Sequence, residues 1–392
     1  MNILFNCAEY PPMTSGGIGS VTRIAAEGLA ARGHKVVVAG YCPLQPRMEE
    51  HCVQNGVQVY RYSLGLRSTK FRKKANELLS LLALDGGLVQ KELDYYEARL
   101  LNLIREHGIQ VLELTDYYKF NDCRCALRHS RFDLPTVLRI HGSVSFVNHF
   151  RGKDNATVTE NDRCHFSRTD HMLSVSRFSS DCLQTTFPDL NFKSREIIPN
   201  MIEDGFLSED ISRKRGKSIL FIGKLTEDKG AFATAAAFAE FFRGHRDWTL
   251  VMAGSGDPEP LRRAVPEDVR SHMIFRGYCD RSAIKSLIDG CAFGCLPSHF
   301  ETFGMTALEL MARSRAVIFT SRTAGPEIIV DGEDGFLVDP SDTEAIAARM
   351  SELAENEARR DEMAARAFAK VKERYRSGAV LDRLETFYNG IL

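Results

Sequence analysis

Short apolar runs rich in β-branched residues alternate with longer stretches whose apolar side chains recur at helical spacing, and this rhythm holds through most of the 392 residues. A continuous apolar run is buried on both faces, as in a parallel sheet, while a helical stretch buries one stripe, so the pattern predicts repeated βαβ units. In the first half the predicted strands are Ile3–Asn6, Val36–Ala39, Val57–Tyr60, Val111–Leu114, Thr136–Ile140, Met172–Val175 and Glu196–Ile198. Helices are predicted over Ser20–Arg32 and Leu93–Glu106, closed by Gly33 and Gly108, since glycine takes the left-handed conformation that ends a helix. A second series opens at Ser218–Ile222 and continues with Trp248–Met252, Met273–Phe275, Ala292–Leu296, Ala316–Phe319 and Phe336–Val338. Between the two series, Pro199–Gly205 and the charged Arg213-Lys214-Arg215-Gly216-Lys217 read as a linker. From Thr343 the chain is rich in Ala, Glu and Arg, which predicts helix nearly to its end with a break at Ser377-Gly378. The last piece carries Val380, Leu381, Leu384, Phe387 and Tyr388, an apolar stripe that must pack on something, and the expected place is the first domain. The expected organisation is α/β, with domains 1–205 and 206–375 and a terminal helix 376–392.

The segment Ser298–Glu309 carries the strongest chemical signal. A buried run ends at Pro297, and helix formers begin after Phe303-Gly304. A strand that hands over to a helix in this way leaves unbonded amides aimed at one spot, which suits a phosphate. Glu301 precedes that spot and Glu309 follows it, roughly 7–8 Å along the axis at ~1.5 Å per residue. That separation matches a diphosphate whose two sugars meet one carboxylate each. Taken alone, two solvated acids on a surface helix would read the same way.

Other glycine loops fall at strand ends. Gly16-Gly17-Ile18-Gly19 follows the first strand and precedes the first helix, but no third glycine completes the dinucleotide fingerprint, which disfavours a nicotinamide oxidoreductase. Gly223 to Gly230 leads into a helix near Ala231 and contains Lys224 and Lys229. A lysine there faces the positive end of the helix dipole and calls for an anion, such as a diphosphate. The loop lacks the Gly-x-x-x-x-Gly-Lys-Ser/Thr spacing of a P-loop hydrolase. Gly254 lies in Ala253–Asp257 and Tyr278 in Phe275–Tyr278, both after strands, where open α/β sheets bind ligands and a nucleobase could rest on backbone. His141 follows Thr136–Ile140, and Thr115-Asp116 follows Val111–Leu114.

Composition narrows the class. Hydrophobic residues at 44%, charged residues at 26% and a formal net charge of −1 describe a globular protein without the basic footprint of a nucleic-acid binder. The amino terminus starts on a strand without a signal-peptide pattern, so a cytoplasmic protein is expected. No stretch reaches the ~20 apolar residues of a spanning helix. Any membrane contact would be peripheral, at the inner face, through the basic segment Lys70–Lys74 and the adjoining Leu78–Leu82 of the first domain, although a solvated helix face is the favoured reading of that segment. The ten cysteines are scattered, with Cys123, Cys125, Cys291 and Cys295 forming the closest pairs, and reduced buried thiols are expected.

In order along the chain, Gly16–Gly19, Ser174-Val175-Ser176, Ile198-Pro199-Asn200, the Gly-x-Leu-x-x-x-Lys-Gly loop at 223–230, Glu301-x7-Glu309 and Gly332-x-x-Gly335-Phe336-Leu337-Val338 resemble the retaining glycosyltransferase family four. The resemblance covers nearly the whole chain. It implies the GT-B fold, two Rossmann-like domains facing each other across a cleft, with the nucleotide-sugar donor on the second domain and the acceptor mainly on the first. It further implies that Glu301 and the backbone at Phe303, Gly304, Met305 and Thr306 hold the donor sugar and phosphate, and that Glu309 binds the ribose. Lys224 and Lys229 would hold the diphosphate, with amides near Gly17 and Gly19 assisting, Gly254 and Tyr278 near the nucleotide, and His141 near the reacting carbon. The family usually has arginine where Lys224 stands, and lysine lacks the forked donor pair. The implied reaction moves a hexose from a UDP- or GDP-linked donor to a saccharide, lipid-linked or small-molecule acceptor, in polysaccharide or glycoconjugate synthesis, with retention, no metal and no cofactor. A sugar-nucleotide isomerase or hydrolase on the same scaffold, or a non-catalytic sugar-nucleotide-binding protein, is the alternative.

Overall fold

The computed structural model of the chain describes residues 1–12, 17–42, 50–63, 86–116, 132–209 and 215–392. Gly16, the Lys70–Lys74 and Leu78–Leu82 segments, Cys123, Cys125 and Arg213-Lys214 lie outside the described residues. The chain forms two units. One comprises Met1–Val175, Ser179–Met201 and Val380–Leu392, and the other Ser176–Phe178 and Ile202–Ala379.

The first unit is built on an eight-stranded sheet. Its strands are β1 (Asn2–Asn6), β2 (Lys35–Cys42), β3 (Glu50–Gln54), β4 (Val57–Ser63), β5 (Val111–Thr115), β6 (Thr136–Ile140), β7 (His171–Ser174) and β8 (Ser194–Ile197), in the order β3-β4-β2-β1-β5-β6-β7-β8. All pairs are parallel except β3 with β4. Apolar pattern does not predict β3, because none of its side chains is fully buried. What makes it a strand is the turn after it. Asn55 and Gly56 take φ 47° and 82°, the two left-handed residues of a tight hairpin, and Gln54 pairs with Val57.

Buried Ile3, Phe5, Val36 and Val38 form a core that the helix Gly17–Ala31 covers with Ile24, Ala25 and Leu29. The final helix, Ser377–Ile391, adds Val380, Leu381, Leu384 and Tyr388 to the same core. Gly28 permits this approach, since a Cβ there would stand 2.5 Å from Leu381 Cδ1.

The second unit holds a six-stranded, wholly parallel sheet of β9 (Ser218–Ile222), β10 (Thr249–Ala253), β11 (Met273–Gly277), β12 (Phe293–Leu296), β13 (Ala316–Thr320) and β14 (Phe336–Val338). Its order, β11-β10-β9-β12-β13-β14, reverses direction between β9 and β12. In the first sheet the reversal lies between β1 and β5. Such switch points open a crevice at the strands' carboxyl ends, where ligands bind in doubly wound folds.

The carboxyl-terminal region differs from the expected helix with one break at Ser377-Gly378. Three helices occur, Thr343–Glu355, Glu357–Arg374 and Ser377–Ile391. Asn356 ends the first and caps the second by accepting the Arg359 amide at 3.0 Å. Ser377 and Gly378 open the last helix rather than breaking one. The interruption falls at Tyr375-Arg376, whose backbone is engaged by Ile202, the Ile202 amide donating to Tyr375 O at 2.7 Å. No described helix is long and apolar enough to cross a membrane.

Candidate functional site

In the second unit, the loops leaving β9, β10 and β12 are bonded to one another at the switch point. The Gly223 amide donates to Ala253 O, Leu225 N to Ser255 O and His299 N to Asp228 O, each at 2.9 Å, while Gly254 N donates to Gly277 O at 2.8 Å. Two helices start from this cluster, Ala231–Phe242 and Met305–Met311, each with a left-handed glycine as its cap and no side-chain cap. Gly230 (φ 75°) lies so close to Pro297 that a Cβ would meet the carbonyl oxygen at 2.0 Å. Gly304 (φ 101°) lies 2.6 Å, by the same construction, from the Phe319 ring. No side chain could replace either hydrogen, so neither helix start carries a side-chain cap, and apart from the Ala231 amide, which donates to Thr226 O at 3.2 Å, the first-turn amides are left for a ligand.

Lys229 and Glu301 meet at this point. Lys229 Nζ donates to Glu301 Oε2 at 2.8 Å, and the two side chains are 38% and 20% exposed. The Glu301 carboxylate raises the lysine pKa above its ordinary value. The lysine beside the helix start therefore already has the anion that its position calls for. Glu301 is itself anchored, its amide donating to Thr323 Oγ1 at 3.1 Å and its carbonyl accepting from Ala324 N at 3.2 Å. Lys224 is exposed on the same loop as Lys229. Ser176, Arg177 and Phe178 join this unit: Ser176 Oγ donates to Thr302 O at 2.6 Å, and both oxygens of Glu327 accept the amides of Arg177 and Phe178 at 2.7 Å.

Phe303 is buried, with its ring edge-on to Tyr375 at 6.0 Å, and Met305 and Thr306 are half-buried in the first turn of their helix. Glu309, in the same helix, faces Arg281. Arg281 Nη1 donates to Glu309 Oε1 at 3.3 Å and Nε to Glu203 Oε2 at 2.9 Å. Burial pushes the Glu309 carboxyl up to about 7, Arg281 opposing and Glu203 adding to the shift. Tyr278, just beyond β11, is 75% exposed. Sequence reasoning missed Arg281, Glu203 and Glu327. Asp280, which caps the helix Arg281–Gly290 by accepting Ala283 N at 2.8 Å, was a local sign of that helix start, but nothing local points from Arg281 to Glu309.

In the first unit, Gly17 is exposed at the start of its helix and Gly19 is buried within it. His141 is buried just past β6, and the amides of His141 and Gly142 both donate to Asp116 Oδ2, at 3.0 and 2.8 Å. Burial, with Arg139 nearby, lowers the His141 pKa to about 3, so the imidazole is neutral at ordinary pH. Burial raises Asp116 to about 7. Ser143 caps the helix Val144–Phe150, and Ser145 Oγ donates to Asp162 Oδ2 at 2.6 Å. Of the cysteines, Cys7, Cys291 and Cys295 are free and buried, and burial pushes the Cys291 and Cys295 thiols up to about 12. The predicted residues thus divide, with Gly17, Gly19 and His141 in the first unit and the rest in the second.

Comparison with known proteins bears on the family and the fold. Residues 15–205 match the model for Glycosyltransferase Family 4, and residues 216–356 match the one for Glycosyl transferases group 1. Glycogen synthase of Mycobacterium tuberculosis is 25% identical over 383 residues, spanning 91% of this chain and 87% of that protein. Sucrose-phosphate synthase of Thermosynechococcus elongatus superposes with a TM-score of 0.78 at 16% identity, over 100% of this chain and 98% of the other. Anabaena HepE, solved with UDP and glucose, gives 0.73 at 15% identity over 100% of both chains. The chain belongs to glycosyltransferase family four and has the GT-B fold, built of two Rossmann-like α/β units.

Proposed function

We propose that the chain is a retaining, metal-independent hexosyltransferase that takes its sugar from a nucleotide diphosphate donor bound by the second unit. The observation that carries this reading is the Lys229–Glu301 pair lying between two uncapped helix starts. Breaking the bond between the anomeric carbon and phosphate builds negative charge on the diphosphate and positive charge on the ring. Lys229 and the open amides answer the first charge. Glu301, freed from sole attachment to the lysine when a diphosphate arrives, accepts hydroxyls of the sugar. Glu309 accepts the ribose hydroxyls, and Lys224, exposed on the loop, adds a second cation to the phosphates. The carboxylates serve as hydrogen-bond acceptors in this scheme and neither is a nucleophile. Retention follows from displacement on one face of the sugar, with the departing phosphate oxygen taking the acceptor's proton. A neutral His141 suits hydrogen bonding to a sugar hydroxyl and not proton donation.

A UDP-linked donor is the first candidate, because HepE, of the same fold, is described with UDP, glucose and UDP-glucose. The acceptor is proposed to bind the first unit around residues 143–153, which include the short helix Val144–Phe150. Thermal-shift screening against UDP, GDP, ADP and their sugars tests the donor class, since a ligand at 100 times its Kd adds ~2.7 kcal/mol of stability. Stabilisation by a sugar nucleotide is expected, and a panel without any shift refutes the reading. Product analysis by NMR should show the donor's anomeric configuration kept, at a rate unchanged by EDTA. Release of free sugar in the presence of every acceptor tried would identify a hydrolase instead.

A further inference from the structure

Arg281 bridges two carboxylates that belong to different stretches of the second unit. One is Glu309, and the other is Glu203, in the segment that precedes β9. The guanidinium is held in place by more than its partners, for it lies 4.7 Å above the ring of Phe206, which is fully buried. Lys285 fixes the same segment by donating to Gly205 O at 3.0 Å, and Arg313 does so by donating to Phe206 O at 2.9 Å. Arg281 is thus a clamped side chain, and the carboxylate it touches inherits a fixed position. Glu309 is only 16% exposed, a setting in which a carboxyl loses charge unless a cation stands beside it. The charges acting on it are Arg281, which favours the carboxylate, and Glu203, which disfavours it.

We propose that Arg281 is a positioning residue for the nucleotide, fixing the Glu309 carboxylate as the acceptor for the two ribose hydroxyls. The inference rests on the reading above in which Glu309 meets the ribose. A carboxylate accepts both hydroxyls of a vicinal diol in charge-assisted bonds, roughly twice as strong as those to a neutral carboxyl. Arg281 never touches the nucleotide in this scheme and acts through Glu309 alone.

The test is calorimetric titration of the full chain with UDP, or with GDP or ADP if screening favours one of them, and with the matching 2′,3′-dideoxynucleoside diphosphate. Wild type, Glu309→Gln, Arg281→Met and Arg281→Lys are compared from pH 6 to 8.5. Arg281→Met should weaken the ribonucleotide about tenfold, as expected for one charge-assisted bond, and leave the dideoxy analogue unchanged. Arg281→Lys, which keeps the charge without the fork, should fall between and covers the case in which the Met variant misfolds. The wild-type preference for the ribose diol should grow as pH rises through about 7 and should shift to higher pH in Arg281→Met. Ribonucleotide affinity kept in Arg281→Met but lost in Glu309→Gln overturns this inference and leaves the ribose reading standing. Equal loss of both nucleotides in Arg281→Met assigns the arginine to folding and also overturns it. Equal binding of ribo- and dideoxynucleotide by wild type overturns the ribose reading itself.

Discussion

Two of the ion pairs, Arg139–Glu113 in the first unit and Lys229–Glu301 in the second, are alike in charge and unlike in character. Arg139 donates to Glu113 through both Nε (2.6 Å) and Nη2 (3.0 Å), both side chains are 4% exposed, and the Tyr388 hydroxyl donates to the same carboxylate. Its donors and acceptors are matched within the protein. Lys229 and Glu301 share a single 2.8 Å contact, are several-fold more exposed, and stand beside amides that no side chain caps. A bidentate buried pair holds a fold together because opening it strands a charge in a dry core. A single contact at a wet edge can be exchanged for a ligand at little cost. The difference sets a pair that is locked into the core apart from one that is able to exchange its partner.

Four experiments press on that contrast. The largest effect is expected from Arg139→Met, which leaves the Glu113 carboxylate buried without its cation and should cost about 3–5 kcal/mol in urea unfolding. A loss under 1 kcal/mol would dissolve the distinction. Glu301→Ala and Lys229→Ala should each reduce sugar transfer by about 10²-fold or more, ~3 kcal/mol of barrier, while stability stays within ~1 kcal/mol of wild type. Full activity in either variant removes the site assignment. Asp116→Asn probes the buried acid beside His141. The folded protein holds a proton on Asp116 up to about pH 7, whereas the unfolded chain releases it near 3.8. Folded molecules thus bind more protons between those values, and this group's contribution to stability declines as pH rises through that window. Wild type should therefore lose at least ~1 kcal/mol relative to Asp116→Asn between pH 5 and 8, and a constant difference would show that the acid ionises freely. The smallest effect belongs to Tyr388→Phe, about 1.5 kcal/mol, the low end for one hydrogen bond to a charged group, because the carboxylate keeps its arginine. An unchanged unfolding midpoint would mean that the tyrosine contributes through its ring alone.

Most of the architecture was legible because parallel strands declare themselves locally. Ile3, Leu4 and Phe5, or Ile219, Leu220 and Phe221, are apolar on both faces since both faces are covered. The Glu301–Glu309 element was legible because its strand end, its Phe303-Gly304 step and its helix formers follow one another within a dozen residues, whereas the side chains that anchor it, Thr323 and Ser176, are remote in sequence and gave no sign of that contact. The β3 strand escaped since its polarity masks the hairpin that Asn55-Gly56 announces. Arg281 escaped because its partners are 28 and 78 residues away and charge carries no periodicity. The break at Tyr375-Arg376 was placed two residues late because Ile202, remote in sequence, decides it. The lysine near Gly230 asked for an anion, and pattern alone could not say that the protein itself supplies one.

The return of residues 380–392 into the first unit affects how the protein is made. During synthesis the amino-terminal sheet emerges early, yet the side chains of Leu381, Leu384 and Tyr388 that complete its hydrophobic interior leave the ribosome only after the whole second sheet has been made. Until they do, the patch around Ile24, Ala25 and Gly28 faces water, a natural target for a chaperone. A nascent chain stalled before Val380 should be cut by protease in its first half even after its second half has become resistant.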